Sequence, residues 1–468
     1  MRSFKKLAVD GASELMFGKA PTPATCGFGL KVGAGEVYPE INFTLPTMLI
    51  DRENWGRVVT EYQEIGDMIV RAAKRLRLPG LMVEFELLPP MTENPGWGAE
   101  ITNILHLALK RAHEEYGLPG ALRVTPTDIR DAERPPVLRS GKQWDLLMES
   151  FRQCAGLGAD ILSIESVGGK EVDDVALMHG DVGGIVFALG ILAPRDMEFL
   201  WDNILTICSA RNVVPGGDSA CGFANTAMQL SSQGMLPEVL AAIVRAASVV
   251  RSLVAYERGA YGPSKDCAYE GPVIKAITGA PIAMEGKSAS CAHFSPVGNV
   301  AASMCDLWSN ESVQNIRLLS GSAPEAFMEL LAYDCRLFNK ALEGGTEQSY
   351  QKLLVESDVH LSPQALVLSP ESTVRIASAI VEEDSHYRMT IAASLEAVYI
   401  IRDAAANGSL KLASKELSWL DRIERELLSL PDDEMTLAES MAASYGYLFL
   451  PESYGLQPIE SIKDGSSR

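Results

Sequence analysis

From residue 78 onward, short apolar runs alternate with longer stretches whose apolar residues recur at helical spacing. This alternation is typical of parallel strands joined by crossover helices. The clearest repeats predict strands at 81–87, 121–124, 160–166 and 184–192, and helices at 99–116, 143–155 and 193–210. Weaker repeats at 213–217 with 225–230, and at 281–284, bring the number of units to five or six.

The chain on either side of these repeats has a different pattern. Glycines and prolines at 27–46 predict loops, a helix is predicted at 54–76, and helical periodicity dominates after residue 323. No Gly-x-Gly-x-x-Gly motif follows an early strand, which favours a closed barrel over a dinucleotide-binding sheet. We therefore predict an α/β fold with a (β/α)8 TIM-type barrel at 78–323, an N-terminal elaboration at 1–77 and a C-terminal helical segment at 324–468 packed on the barrel.

The composition of the 468 residues narrows the classes of function. Hydrophobic residues make up 47% of the chain, enough for a large core, and 41 basic against 61 acidic residues disfavour nucleic acid as a partner. The eight cysteines are dispersed, unlike a disulfide framework, and no signal peptide or transmembrane segment is expected. These features predict a cytoplasmic enzyme.

Three potential metal ligands follow apolar runs, where a barrel places its reactive residues. They are Glu165, Cys221 and Cys267, each about fifty residues from the next. One carboxylate and two thiolates leave a fourth zinc position open, which is typical of a catalytic site. The spacing alone leaves an alternative open, in which the cysteines are buried small hydrophobic residues and Glu165 is salt-bridged.

Several longer motifs resemble a known family. They are ESVGGKE (165–171), NTAM (225–228), KDCAYE (265–270), MEGK (284–287) and WSNES (308–312), with NPGWGAE (94–100), LVAYE (253–257) and AYDC (332–335) extending the similarity over nearly the whole chain. These segments resemble the zinc-containing subunit of methanol:corrinoid methyltransferases. The resemblance implies zinc bound by Glu165, Cys221 and Cys267, and transfer of the methyl group of methanol to cobalt(I) of a corrinoid.

The corrinoid is expected on a separate protein. Neither Asp-x-His pair of this chain, at 358–360 and 384–386, has the glycine of the cobalamin-binding Asp-x-His-x-x-Gly motif. We therefore expect a corrinoid protein as partner, and a homo-oligomer in complex with it. The segment around Cys221 departs from the family pattern, so three alternatives stay open: a zinc methyltransferase for another small donor such as a methoxylated compound, a zinc hydrolase, or a scaffold without metal.

Four further carboxylates are candidates for supporting roles. Glu84 and Glu86, two positions apart on an early strand, would point to the same side and could supply the proton that the leaving oxygen needs. Asp218 and Asp266 are candidates for orienting the metal ligands from behind. The alternatives are a salt-bridged pair for the first two residues and solvated loop carboxylates for the other two.

Overall fold

Parallel strands form the centre of the computed structural model, which describes residues 3–44, 48–265, 267–313 and 322–457. Two further strands form an antiparallel hairpin before them. The strands are β1 (Lys19–Cys26), β2 (Leu30–Ala34), β3 (Tyr38–Thr44), β4 (Leu81–Leu87), β5 (Gly120–Pro126), β6 (Ile161–Ile164), β7 (Val214–Asp218), β8 (Ala283–Glu285) and β9 (Leu307–Val313).

The central sheet has the order β7-β6-β5-β4-β3-β9-β8 and curls until its two edges approach each other. The irregular segment 261–265 bridges the remaining gap. The backbone N–H groups of Tyr261 and Gly262 donate to the carbonyl of Pro215 in β7, at 3.3 and 3.2 Å, and Ser264 forms a parallel bridge with Ile282 beside β8. The segment thus occupies an eighth position in the ring, and the predicted barrel fold is confirmed.

Helices cover the outside of this ring and continue beyond it. The α-helices are α1 (Trp55–Leu76), α2 (Pro89–Thr92), α3 (Pro95–Tyr116), α4 (Gly141–Gly156), α5 (Lys170–His179), α6 (Val182–Phe187), α7 (Ala193–Arg211), α8 (Cys221–Ser232), α9 (Glu238–Arg258), α10 (Gly271–Thr278), α11 (Lys287–Ala292), α12 (Gly298–Ala302), α13 (Ala323–Glu343), α14 (Glu347–Asp358), α15 (Pro363–Leu368), α16 (Pro370–Val381), α17 (His386–Ala406), α18 (Ser414–Leu428) and α19 (Glu434–Tyr445). A π-helical turn, Ala188–Leu192, joins α6 to α7. Short 3-10 helices span Ala12–Glu14 and Pro451–Tyr454.

Helix α9 lies at the centre of the helical layers. It packs against α7, α8 and α17, and its residues are buried from Val239 to Glu257. Within the described part of the chain it is the one helix long and apolar enough to cross a membrane, but its apolar window is entirely covered by protein. This burial is what the core helix of a large domain requires.

The hairpin β1–β2 closes the amino-terminal end of the barrel. Cys26, Leu30 and Val32 pack in one cluster with residues near the beginning of the barrel strands, among them Met82 and Ile161. Because this end is filled by apolar side chains, an accessible site of the barrel has to lie at the carboxyl ends of the strands.

Two local predictions are wrong. Residues 184–192, predicted as a strand, lie in α6 and the π-helical turn, where Asp181 caps the helix by accepting from the Gly184 N–H at 3.1 Å. Residues 27–46, predicted as loops, contain β2 and β3. The barrel therefore takes its first strand from before residue 78, and the division of the chain at 77 and 323 stays a prediction.

Candidate metal centre

Glu165, Cys221 and Cys267 follow three successive positions of the barrel ring. Glu165 comes directly after β6, Cys221 opens α8 three residues after β7 ends, and Cys267 follows the segment 261–265. Because the chain runs in the same direction at all three positions, the side chains meet at one end of the barrel. One ligand atom of each lies within 4.8 Å of the others, and Cys267 Sγ donates to Glu165 Oε1 at 3.1 Å.

The two thiols hold their protons unless a cation is present. Donation from Cys267 lowers the pKa of Cys221, but burial and the charge of Glu165 more than offset it and raise that pKa to about 12. Burial, and then the contact with Cys221, raise the pKa of Cys267 well above its ordinary value. A bound cation reverses this preference, since a coordinating thiol is deprotonated outright. Two sulfurs and one carboxylate oxygen are a donor set that suits zinc.

Lys265 joins this trio to Glu84 and Glu86. Its ammonium group lies 2.8 Å from Glu84 Oε1 and 3.2 Å from Glu165 Oε1, and it also contacts Glu86 Oε1. Burial lowers the pKa of Lys265, but Glu84, Glu86 and Glu165 together raise it well above the ordinary value. Lys265 is therefore a fixed positive charge beside a proposed metal ligand.

Glu84 and Glu86 do point to the same side of β4, but their surroundings differ. The hydroxyl of Thr125 donates to Glu84 Oε1 at 2.9 Å, and the Glu84 side chain is 5% exposed. Asn42 Nδ2 donates to Glu86 Oε1 at 3.0 Å, and the Glu86 side chain is 29% exposed and lines a cavity. Of the two proton-donor candidates, only Glu86 is thus placed within reach of a small substrate.

Asp218 lies behind the trio in a buried network. It accepts from the Arg251 guanidinium at 3.0 Å, from the Ser166 N–H at 3.3 Å and from Trp201 Nε1 at 3.4 Å. Burial raises the pKa of Asp218, and Arg251 opposes that shift. Asp266, the other candidate for this supporting role, lies outside the described residues.

The segment after Cys267 is joined to the segment before Cys221 through Glu270. Its Oε1 accepts from the Ala220 N–H at 2.7 Å and from the Ser252 hydroxyl at 2.8 Å. Arg251, the residue before Ser252, reaches the hydroxyl of Ser166, the residue after Glu165. Two adjacent residues of α9 therefore contact segments that carry all three candidate ligands.

Sequence reasoning did not assign roles to Lys265, Arg251, Ser252 or Glu270. Lys265 and Glu270 stand within the motif KDCAYE, which was a signal for them, and Arg251 is a charge within an apolar helix. That charge carried information as well, because a buried arginine needs a buried partner.

A cavity of about 430 Å³ opens at this end of the barrel. Glu165 lines it together with Glu86, and apolar side chains such as Val167 and Phe223 complete part of its wall. The candidate metal centre is therefore accessible to a small molecule, while the sulfur of Cys267 lies deeper.

Three comparisons with known proteins agree with one another. The family model described as methanol-cobalamin methyltransferase B subunit, MtaB, matches residues 1–455. The methanol–corrinoid protein co-methyltransferase of Methanosarcina barkeri strain Fusaro is 37% identical over 462 residues, which cover 97% of this chain and 99% of the relative. A chain in the crystal structure of the methanol:cobalamin methyltransferase complex MtaBC from Methanosarcina barkeri is similar with a TM-score of 0.93 and 36% identity, covering 97% of this chain and 100% of that chain.

Proposed function

This chain belongs to the family of methanol-cobalamin methyltransferase B subunits, and from that premise we propose that it is a zinc-dependent enzyme that transfers the methyl group of methanol to the cobalt of a corrinoid held by a separate protein. The family resemblance predicted from the motifs is thereby confirmed. The observation that carries the proposal is the convergence of one carboxylate and two sulfurs from distant parts of the chain within 4.8 Å.

The proposed metal ligands are Glu165, Cys221 and Cys267. Zinc held there would supply Lewis-acid chemistry, stabilising negative charge on the oxygen that leaves the methyl carbon. The support is the donor chemistry of the site, because two thiols that burial keeps protonated are placed against a carboxylate and beside a cavity. Such an arrangement is costly to bury unless a cation compensates it.

The reaction requires one proton. The carbon–oxygen bond of methanol breaks and the oxygen keeps the electron pair, so the oxygen must gain a proton to depart as water. Cobalt(I) supplies the electron pair of the new cobalt–carbon bond and becomes cobalt(III). We assign the proton donation to Glu86, which lines the cavity, and assign to Glu84 the holding of Lys265 from below.

The size of the cavity supports the division of labour between two proteins. About 430 Å³ accommodates methanol, whereas a corrin macrocycle is too large to enter with its protein environment. The corrinoid is therefore presented by its own subunit at the mouth of the barrel, in an assembly that we propose to contain more than one copy of this chain. All eight cysteines are unpaired, which supports a reducing compartment such as the cytoplasm.

The test compares Cys221→Ala and Cys267→Ala with the unaltered protein. We expect about one zinc per chain in the unaltered protein and loss of zinc in both variants, measured by metal analysis. Methyl transfer, followed as conversion of cobalt(I) to methyl-cobalt(III) in a separately purified corrinoid protein, should be abolished in both. Cys291→Ala is the matched control, because Cys291 is exposed and lies outside the trio.

Two results would contradict the proposal. Full zinc content in both variants would remove the ligand assignment. Faster methyl transfer from a methoxylated donor than from methanol, in a panel of small donors, would replace the substrate while leaving the ligand assignment intact.

A further inference from the structure

Asn225 connects the two proposed sulfur ligands. It lies one helical turn after Cys221 in α8, and its Nδ2 is 3.3 Å from Cys221 Sγ and 2.9 Å from the carbonyl oxygen of Cys267. An amide group has two N–H donors, so one can serve each acceptor. The carbonyl fixes the orientation of the amide, because rotating it by half a turn would bring two oxygens together. The atom that faces Cys221 is therefore a donor.

Ser219 stands in the same relation to the other sulfur. Its Oγ accepts from the backbone N–H of Cys267 at 3.3 Å and lies 3.4 Å from Cys267 Sγ. Since the oxygen already accepts one hydrogen bond there, its own hydrogen is available to the sulfur once that sulfur is a thiolate. Ser219 is 1% exposed and Asn225 is 4% exposed, so water does not replace either contact.

We propose that Asn225 and Ser219 are positioning residues that withdraw electron density from the two ligand sulfurs and thereby keep the bound metal electrophilic. The inference rests on the proposed function, in which Cys221 and Cys267 bind zinc. Two thiolates donate much charge to a metal and weaken it as a Lewis acid, so a site built from them gains from donors that draw charge back. Each sulfur has one such donor.

The placement of the donors argues against a purely structural role. A residue needed only to hold the loops together could bond to the backbone alone, as Ala220 does with Glu270. Asn225 and Ser219 do contact the backbone of Cys267, but each also reaches a sulfur, and they reach different sulfurs. A hydrogen bond to an ionised acceptor is about twice as strong as one between neutral groups, so these contacts gain strength when the thiols ionise.

The test uses cobalt(II) in place of zinc in the intact protein, because the charge-transfer absorption from sulfur to cobalt(II) reports the electron density on the sulfurs. The variants are Asn225→Ala and Ser219→Ala. Thr226→Ala is the matched control: it removes a hydroxyl of the same helix that donates to the Gly222 carbonyl at 2.6 Å. Zinc-loaded forms of the same proteins are assayed for methyl transfer.

We expect the absorption band to move to longer wavelength in both variants with its intensity kept, since a sulfur without its donor gives up an electron more easily. Methyl transfer should fall by about 10- to 100-fold, and Thr226→Ala should match the unaltered protein. A band at unchanged wavelength in both variants overturns the inference, and so does a band that only loses intensity, since that indicates a lost ligand. A cobalt(II) form of the unaltered protein without any such band overturns the ligand assignment as well.

Discussion

Replacing Arg251 with methionine tests whether the buried network behind the trio orients the metal ligands. Arg251 reaches Asp218 at the end of β7 and Ser166 after β6, and all three residues are buried. Methionine keeps the length and apolar character of the side chain but removes the charge. Arg251→Met therefore leaves Asp218 as a buried carboxylate without its cation.

The magnitude follows from the geometry of the pair. The nitrogen and oxygen are 3.0 Å apart, which at an effective dielectric constant of roughly 20 gives about 5 kcal/mol of attraction. Protonation limits the loss, because burial raises the pKa of Asp218 once Arg251 no longer opposes it. The expected cost of Arg251→Met in the free energy of unfolding is therefore about 3–5 kcal/mol.

A double-mutant cycle separates stability from ligand positioning. Urea unfolding of the metal-free Arg251→Met, Asp218→Asn and double variants should show that the double variant loses less than the sum of the singles, by about 2 kcal/mol or more. Zinc affinity, measured by competition with a chelator, should stay reduced in the double variant, because no bond then joins α9 to β7. Arg258→Met is the control, since Arg258 pairs with Asp202 at the surface and should cost under about 1 kcal/mol.

Two outcomes would refute this reasoning. Additive losses in the cycle would mean that the pair does not act as a unit. Wild-type zinc affinity in the double variant would mean that the pair stabilises the fold without positioning the ligands.

Two further predictions concern other buried charges. Burial raises the pKa of Asp173 to about 8, against about 3.9 unfolded, so the folded protein holds an extra proton and loses about 1.4 kcal/mol per pH unit between these values. The stability of Asp173→Asn relative to the unaltered protein should thus rise by about 3 kcal/mol from pH 5 to pH 7 in urea unfolding, and a pH-independent difference would contradict this. Lys265→Met should cost about 3–5 kcal/mol in the same assay, because buried Glu84 loses its cation, and adding Glu84→Gln should recover part of it; an unchanged midpoint in Lys265→Met would exclude the argument.

Sequence reasoning succeeded where the local pattern was unambiguous. The strand predicted at 81–87 has the bounds of β4, and the helix predicted at 370–381 has the bounds of α16. It failed at 184–192 because every residue of that run is buried, so the apolar residues show no helical period. A short, fully apolar run does not distinguish a buried helix from a buried strand.

The first strands were missed because glycine and proline interrupt them. Pro39 lies within β3, beside Trp308 of β9, although proline normally argues against an interior strand. Gly33 in β2 has a φ of +81° and lies so close to Ala20 that a Cβ would be only 2.6 Å from that side chain. The hairpin therefore needs this glycine, yet in the sequence the same glycine is typical of a loop.

The supporting network of the site was beyond local pattern. Arg251 is 33 residues from Asp218 and 85 from Ser166, and no periodicity links positions so far apart. In the sequence, Arg251 only indicated that α9 is unlike a membrane span. Its partners became evident from the fold, which brings the carboxyl ends of β6 and β7 against that helix.

The order of the ligands along the chain explains why their spacing looked uninformative. Glu165, Cys221 and Cys267 follow β6, β7 and the segment 261–265, so each interval of about fifty residues is one strand-and-helix unit with its loops. In a parallel barrel, each such unit returns the chain to the same end, one position further around the ring. Ligands at the ends of consecutive units must therefore be neighbours, however long the helices between them. The informative quantity is the position of each ligand relative to its strand, and the irregular eighth position is the one that sequence pattern did not predict.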